Sequence, residues 1–426
     1  MIFENNLAFA KALDEQDEHR LLREEFWIPQ HNGKDAIYLC GNSLGLQPKA
    51  TMQEITSQLE SWRELGVEGW FNGNDPWLTY HHKLLPPLAR IIGAKPVEVT
   101  VMNSLTINLH LLMVSFYKPN LKKYKILMEG GAFPSDQYAV ESQVRFHGFD
   151  PAEAVIEIFP REGEHILRTD DIINRINELD GELALVLFGG INYYTGQFFD
   201  LNAITKAAHA AGAYAGFDLA HAAGNVPLQL HDCGVDFACW CSYKYMNAGP
   251  GGISGIFIHE KHHSNQSLNR FAGWWGYKAH ERFKMAPGFR AESGTEGWQV
   301  STSPILLMAS LHTSLQIFDK VGSVMGLKEK RVNLTSYLEF LINQINVKLN
   351  REQFKIITPS DIQSRGSQLS IICNTNGKAI FDYLASHGVI GDWREPDVIR
   401  LSPIPLYNSF EDVFIAAGYL LEAALI

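Results

Sequence analysis

Between residues 97 and 260 the chain alternates two textures: short runs that are almost wholly apolar, and longer stretches whose apolar positions recur every three or four residues. The runs "YKILME", "AVIEIF", "LALVLF" and "AYAGFD" lack a regular polar alternation, the pattern of strands covered on both faces. Between them "PSDQYAVESQVRF", "TDDIINRINEL" and "NAITKAAHAAG" carry a helical period; in the last, Asn202 is expected to cap the helix and Gly212 to end it. Two further runs, "DFACWCSY" and "ISGIFI", close the region. Strand and helix in alternation predict an α/β domain on a mostly parallel sheet.

Beyond residue 310 the texture changes. "ASLHTSLQIFDKVG" and "KRVNLTSYLEFLINQINVKL" predict longer helices, "FKIIT" and "QLSIIC" predict strands, and "SFEDVFIAAGYLLEAAL" predicts a last helix on which Ser409 and Asp412 have capping-box spacing. This is a second lobe of α+β type. No repeat, low-complexity tract or long linker separates the two, so they are expected to pack together.

A chain of 426 residues that is 46% hydrophobic has material for two such lobes. Its 47 acidic and 36 basic residues give a formal charge of -11, and no Lys/Arg block stands out, which excludes a broad footprint for nucleic acid or an anionic membrane. A small-molecule partner is expected. The N-terminal stretch mixes acids and bases on an amphipathic pattern, unlike a signal peptide, and runs such as "LHLLMVSF" fall short of the ~18 apolar residues of a membrane span. A cytoplasmic protein is expected. The cysteines, at 40, 233, 239, 241 and 373, are too few and odd in number for a disulfide framework. Cys239 and Cys241, even with His221, His231 and Cys233 nearby in sequence, match no standard zinc spacing, so no metal is expected.

The candidate chemistry begins with Lys244, which stands between "DFACWCSY" and a glycine cluster. A lysine there either snorkels to water or is partly desolvated, which makes it a Schiff-base nucleophile and proton carrier. Asp218 ends the apolar run "AYAGFD", where an open α/β sheet binds ligands; it either faces a ring nitrogen or caps the next turn. His221 follows three residues later. Near Ser104 to Thr106 a strand gives way to a helix, whose N-terminus offers a phosphate cup, or is simply capped by Asn103 or Ser104. Phe133 offers a stacking face and Asp136 an acid at a loop-to-helix junction. Amine, acid, phosphate cup and stacking aromatic together are the equipment for pyridoxal phosphate.

The motifs "YLCGNSLGLQPK", "FPSD", "YYTGQ", "GFDLAHAAGN", "DFACWCSYKYMNAGPGG", "FIHEKH", "RFKM" and "RLSPIPLYNSF" run in order over nearly the whole chain and resemble the kynureninase family, in the class V aminotransferase group. The resemblance implies the aspartate-aminotransferase-like fold (fold type I), with an N-terminal segment, 1–60, packing on the small domain, a large domain over 61–315 and a small α+β domain over 316–426. It implies hydrolysis of L-kynurenine to anthranilate and L-alanine. Lys244 is then the cofactor lysine and Asp218 the partner of the pyridine nitrogen, with Leu105, Thr106, Phe133, Pro134, Ser135, Asp136, His221 and Tyr243 around the cofactor. Tyr243 is also assigned a part in proton transfer, Arg400 the substrate α-carboxylate, and Ser43 a place on the substrate side. Trp274 and Thr302 fall where the family completes the phosphate site from a neighbouring subunit, which implies a homodimer with shared sites. Trp70 falls where animal members have a histidine, implying preference for the unhydroxylated substrate, and Gly189 stands where some members carry a serine. Three rivals are set beside this reading: a serine hydrolase, another class V enzyme (a cysteine desulfurase or an aminotransferase), and a non-catalytic ligand-binding or scaffold protein that retains the fold. "GNSLG" satisfies the GxSxG nucleophile-elbow pattern at Ser43, but Pro48 interrupts the helix an elbow needs. A cysteine desulfurase would use Cys373, which ends a strand-like run instead of sitting in a mobile loop.

Overall fold

The computed structural model describes residues 2–426. Its larger lobe holds a seven-stranded sheet of β1 (Val99–Val101), β2 (Lys125–Glu129), β3 (Val155–Ile158), β4 (Leu183–Gly189), β5 (Tyr214–Asp218), β6 (Phe237–Trp240) and β7 (Gly255–Ile258), in the spatial order β1-β7-β6-β5-β4-β2-β3. Only β7 runs against the others, so the sheet is mostly parallel, as expected. Helices Pro134–Phe146, Thr169–Glu178 and Leu201–Ala210 make the crossovers, and most residues of the central strands are buried because helices cover both faces. The third crossover corrects one local expectation. Its cap is Asp200, whose side chain accepts from the Ala203 N–H, and Asn202 lies within the helix; Gly212 does follow its end, at φ +66°. At the centre of the sheet Gly216 has a packing reason: a Cβ there would lie 2.1 Å from the Phe237 ring of β6.

The smaller lobe is an antiparallel sheet of β8 (Phe354–Ile356), β9 (Leu369–Cys373), β10 (Asp392–Arg394) and β11 (Val398–Leu401), ordered β8-β9-β11-β10. Helices Lys328–Leu349 and Phe410–Leu425 pack their apolar faces, Leu334, Leu338 and Ile342 on one and Val413 and Leu420 on the other, into a core with Ile371 and Ile399 of the sheet. Ala10, Leu13, Ile37 and Leu39 from the start of the chain are buried in the same core, and Ile37–Tyr38 pairs in parallel with Val389–Ile390. The last helix begins on the capping box read from the sequence: Asp412 N–H donates to Ser409 Oγ at 3.0 Å and Ser409 N–H to the Asp412 carboxylate at 3.2 Å. No helix among the described residues is long and apolar enough to cross a membrane.

Candidate active site

Because β1, β2, β4, β5 and β6 are parallel, their carboxyl ends open on one edge of the sheet, and the residues that follow each strand converge there. Glu129 ends β2, Gly189 ends β4 and Asp218 ends β5; Cys241 to Lys244 follow β6, and Ser104 to Thr106 follow β1. Arg400 of β11 and Arg394 of β10 close the space from the smaller lobe. The cavity measures about 430 Å³. Leu105, Thr106, Phe133, Ser135, Asp136, Asp218, His221, Tyr243, Lys244, Ser43 and Arg400 all line it.

Lys244 is held by a tight turn: Asn247, in the left-handed region at φ +52°, donates its N–H to the Lys244 carbonyl at 3.0 Å. The "GNSLG" segment lies against that turn, its Gly45 N–H donating to the Tyr243 carbonyl at 2.8 Å, and a Cβ at Gly45 would lie 2.3 Å from the Lys244 carbonyl oxygen. These glycines therefore serve close backbone approach. Ser43, in place of a base, has the Asp392 carboxylate as acceptor for its hydroxyl and Arg400 Nη2 at 3.4 Å. Ser43 thus faces a carboxylate and a guanidinium in place of the histidine that a nucleophile elbow needs.

Lys244 Nζ lies 3.0 Å from His221 Nε2. Burial, with the positive charges of Lys244, Arg400 and Arg394 adding to it, holds the imidazole well below its ordinary pKa. A neutral ring that accepts at Nε2 from the Lys244 amine carries its own proton on Nδ1, which is buried and has no partner within the chain. Asp136 and Asp218 face each other and are both pushed up by burial; mutual repulsion adds to the shift of Asp136, and the Ala220 N–H, 2.7 Å from Asp218 Oδ1, opposes that of Asp218. The helix Leu105–Phe116 starts at Ser104 with no side chain capping its first turn, so its free N–H groups point into the cavity beside Thr106. Phe133 is 41% exposed, its ring 5.8 Å from Lys244 Nζ.

Four of the residues singled out in the sequence stand elsewhere. Pro134 is exposed, as the first residue of its helix. Trp70 packs between Trp77 and Trp275, at ring-centroid distances of 5.5 and 5.9 Å. Trp274 is 44% exposed and Thr302 is exposed; neither lines the cavity of this chain.

Glu129 was missed, although it ends an apolar strand just as Asp218 does. Its carboxylate accepts the Gly189 N–H at 2.9 Å and sits 3.4 Å from the Asn192 amide; a Cβ on Gly189 would lie 3.0 Å from Glu129 Oε1. Burial raises its pKa to about 7, the Asp218 charge adding and the two hydrogen bonds opposing. The folded form therefore keeps a proton that the unfolded chain releases above about pH 4.3, and stability falls as pH rises through that window to about 7. Glu129→Gln should flatten this slope, removing about 3 kcal/mol of pH dependence from the ligand-free protein. Urea unfolding of both proteins at pH 5 and pH 8 measures it; the same pH dependence in both would show that Glu129 ionises normally.

A kynureninase of Flavobacterium psychrophilum is 54% identical over 97% of this chain and 97% of its own, and one of Myxococcus xanthus 52% identical over 97% and 96%. A kynureninase of the animal Nematostella vectensis is 49% identical over 95% of this chain and 91% of its own. The chain belongs to the kynureninase family. The family model for the kynureninase C-terminal domain matches residues 327–420, the stretch that carries β8 to β11 and Arg400. Among solved structures, cysteine desulfurases of Thermococcus onnurineus and Escherichia coli superpose with a TM-score of 0.74 each, at 18% and 15% identity, covering 91% and 96% of this chain and 94% and 99% of theirs. At that identity they show the fold alone, fold type I. In this kynureninase-family chain the cavity lies between the strand ends of the larger sheet and the sheet of the smaller lobe.

Proposed function

We propose that the chain is a pyridoxal-phosphate-dependent kynureninase that hydrolyses L-kynurenine to anthranilate and L-alanine. The observation that carries this reading is the meeting of Lys244, His221, Asp218, an uncapped helix N-terminus and Arg400 in one cavity of a kynureninase-family chain. The residues suit the cofactor chemically. Free first-turn N–H groups with Ser104 and Thr106 suit a phosphate, Asp218 suits a protonated ring nitrogen, and His221 and Phe133 offer flat faces. When bound, pyridoxal phosphate supplies a covalent anchor for the substrate amine and an electron sink.

The reaction adds one water to the γ-carbonyl and breaks the Cβ–Cγ bond. Arg400 receives the α-carboxylate, and Lys244 Nζ takes up the proton from Cα, with His221 Nε2 keeping the amine aimed. The Tyr243 hydroxyl, its pKa raised by burial, stays protonated and serves as donor near the departing γ-carbon. The desulfurase alternative needs a reactive thiolate, and the thiols here do not supply one. Cys373 is buried with its pKa pushed up to about 12, and burial likewise raises Cys241, the cysteine that lines the cavity. The test is product analysis: purified protein with pyridoxal phosphate and L-kynurenine should yield anthranilate and alanine in equal amounts. Release of alanine from cysteine, with kynurenine left intact, would sink the reading.

The same proposal makes the working unit a homodimer. Trp274 and Thr302 lie at the surface, and Trp70 joins them through Trp275, which packs 5.9 Å from Trp70 and 6.0 Å from Trp274; this supports their facing a second copy's cavity. Hybrids of a Lys244→Ala chain with a Trp274→Ala chain should then regain one intact site and exceed both parents in activity. No gain over either parent would mean that each chain builds its site alone.

A further inference from the structure

Asp392 stands directly opposite Arg400 in the antiparallel pairing of β10 with β11. Its Oδ2 accepts Arg400 Nη2 at 2.6 Å, Arg394 Nη2 at 3.3 Å and the Ser43 hydroxyl, while Arg394 Nε lies 3.2 Å from Oδ1. Arg400 is 1% exposed, and its other end is fixed by Nη1 donating to the Tyr193 carbonyl at 2.6 Å. Both residues line the cavity; the Nε of Arg400 is buried with no hydrogen-bond partner within the chain, while that of Arg394 faces Asp392 Oδ1.

The charges decide what this cluster does. Arg400 alone is already matched by Asp392, so an arriving carboxylate would leave that buried pair net negative. Two guanidiniums and one carboxylate carry a net charge of +1, which one α-carboxylate cancels. Resting on the reading of Arg400 as the seat of that carboxylate, we propose that Arg394 is a second substrate-binding residue that receives it, with Asp392 as the positioning group that holds the two guanidiniums together. Substrates are thereby restricted to amino acids whose carboxylate is free: an ester brings no charge to balance and gains nothing from Arg394.

Arg394→Gln tests this on the holoenzyme, because the side chain is partly exposed and the change leaves the fold's buried ion pair in place. KM for L-kynurenine and the inhibition constant of L-alanine should both rise roughly 10- to 100-fold. Relative kcat should change less, affinity for pyridoxal phosphate should hold, and binding of kynurenine methyl ester should be affected little. Adding Asp392→Asn to Arg394→Gln frees the charge of Arg400 and should recover most of the lost affinity, a rescue that a purely structural role would not give. Constants within twofold of wild type in Arg394→Gln, an equal loss for the ester, or no recovery in the double variant would overturn the proposal. Arg400→Lys separates the two levels: if it leaves both constants unchanged, the seat of the carboxylate was misassigned, whereas a rise there with none in Arg394→Gln rejects Arg394 alone.

Discussion

Lys244→Ala should lower kynurenine turnover by roughly 10³-fold or more, the largest single effect expected in this protein. Two functions meet in one amine. Under the proposed function its Nζ is the nucleophile that anchors the cofactor and the base that moves the Cα proton, and it sits 3.0 Å from a histidine kept neutral by burial. The fold should survive the change, since Lys244 is only partly buried and lines a cavity instead of packing in a core. Borohydride treatment should fix cofactor to wild-type protein at Lys244 and leave the variant's chain unlabelled in mass spectrometry. Added methylamine should restore part of the activity by returning an amine to the cavity. Near-normal turnover in the variant, or labelling at another lysine, would remove Lys244 from the chemistry.

What the sequence disclosed about this site follows from how each residue is positioned. Lys244 and Asp218 were legible because each lies at or just past the carboxyl end of an apolar strand, and a parallel sheet brings such ends together. Glu129 carries the same signal in "YKILME", but the acid ending that run reads as an ordinary polar boundary until Gly189 and Asn192 are seen beside it. Asp392 and Arg394 left no local trace. Their role arises from a cross-strand pairing with Arg400 and from contact with Ser43, which is 349 residues from Asp392 in sequence. The helix cap shows a smaller version of the limit: Asp200 and Asn202 both have capping side chains, and only the backbone geometry selects Asp200. The alternation of strand and helix, in contrast, is set by burial on two faces, which apolar runs report directly.

Arg400→Lys should cut kcat/KM for L-kynurenine roughly 10²- to 10³-fold while pyridoxal phosphate binds as before. The substitution keeps the charge and removes the planar fork, so it asks whether geometry matters. In wild type the guanidinium is tied at both ends, to the Tyr193 carbonyl and to Asp392, each at 2.6 Å, and its buried Nε has no partner within the chain. A lysine ammonium reaching the same place cannot serve the carbonyl, the aspartate and a two-oxygen ligand at once in a fixed plane, so one of them loses its partner in a site shielded from water. Held loosely, the α-carboxylate no longer sets the angle at which the Cα proton faces Lys244, and kcat should fall along with the rise in KM. L-Alanine, which shares that carboxylate and lacks the aromatic part, should weaken as an inhibitor by a similar factor. If kcat/KM stays within twofold of wild type, the carboxylate is received elsewhere. If cofactor affinity collapses together with activity, Arg400 acts by packing the smaller lobe against the cavity and not by gripping the substrate.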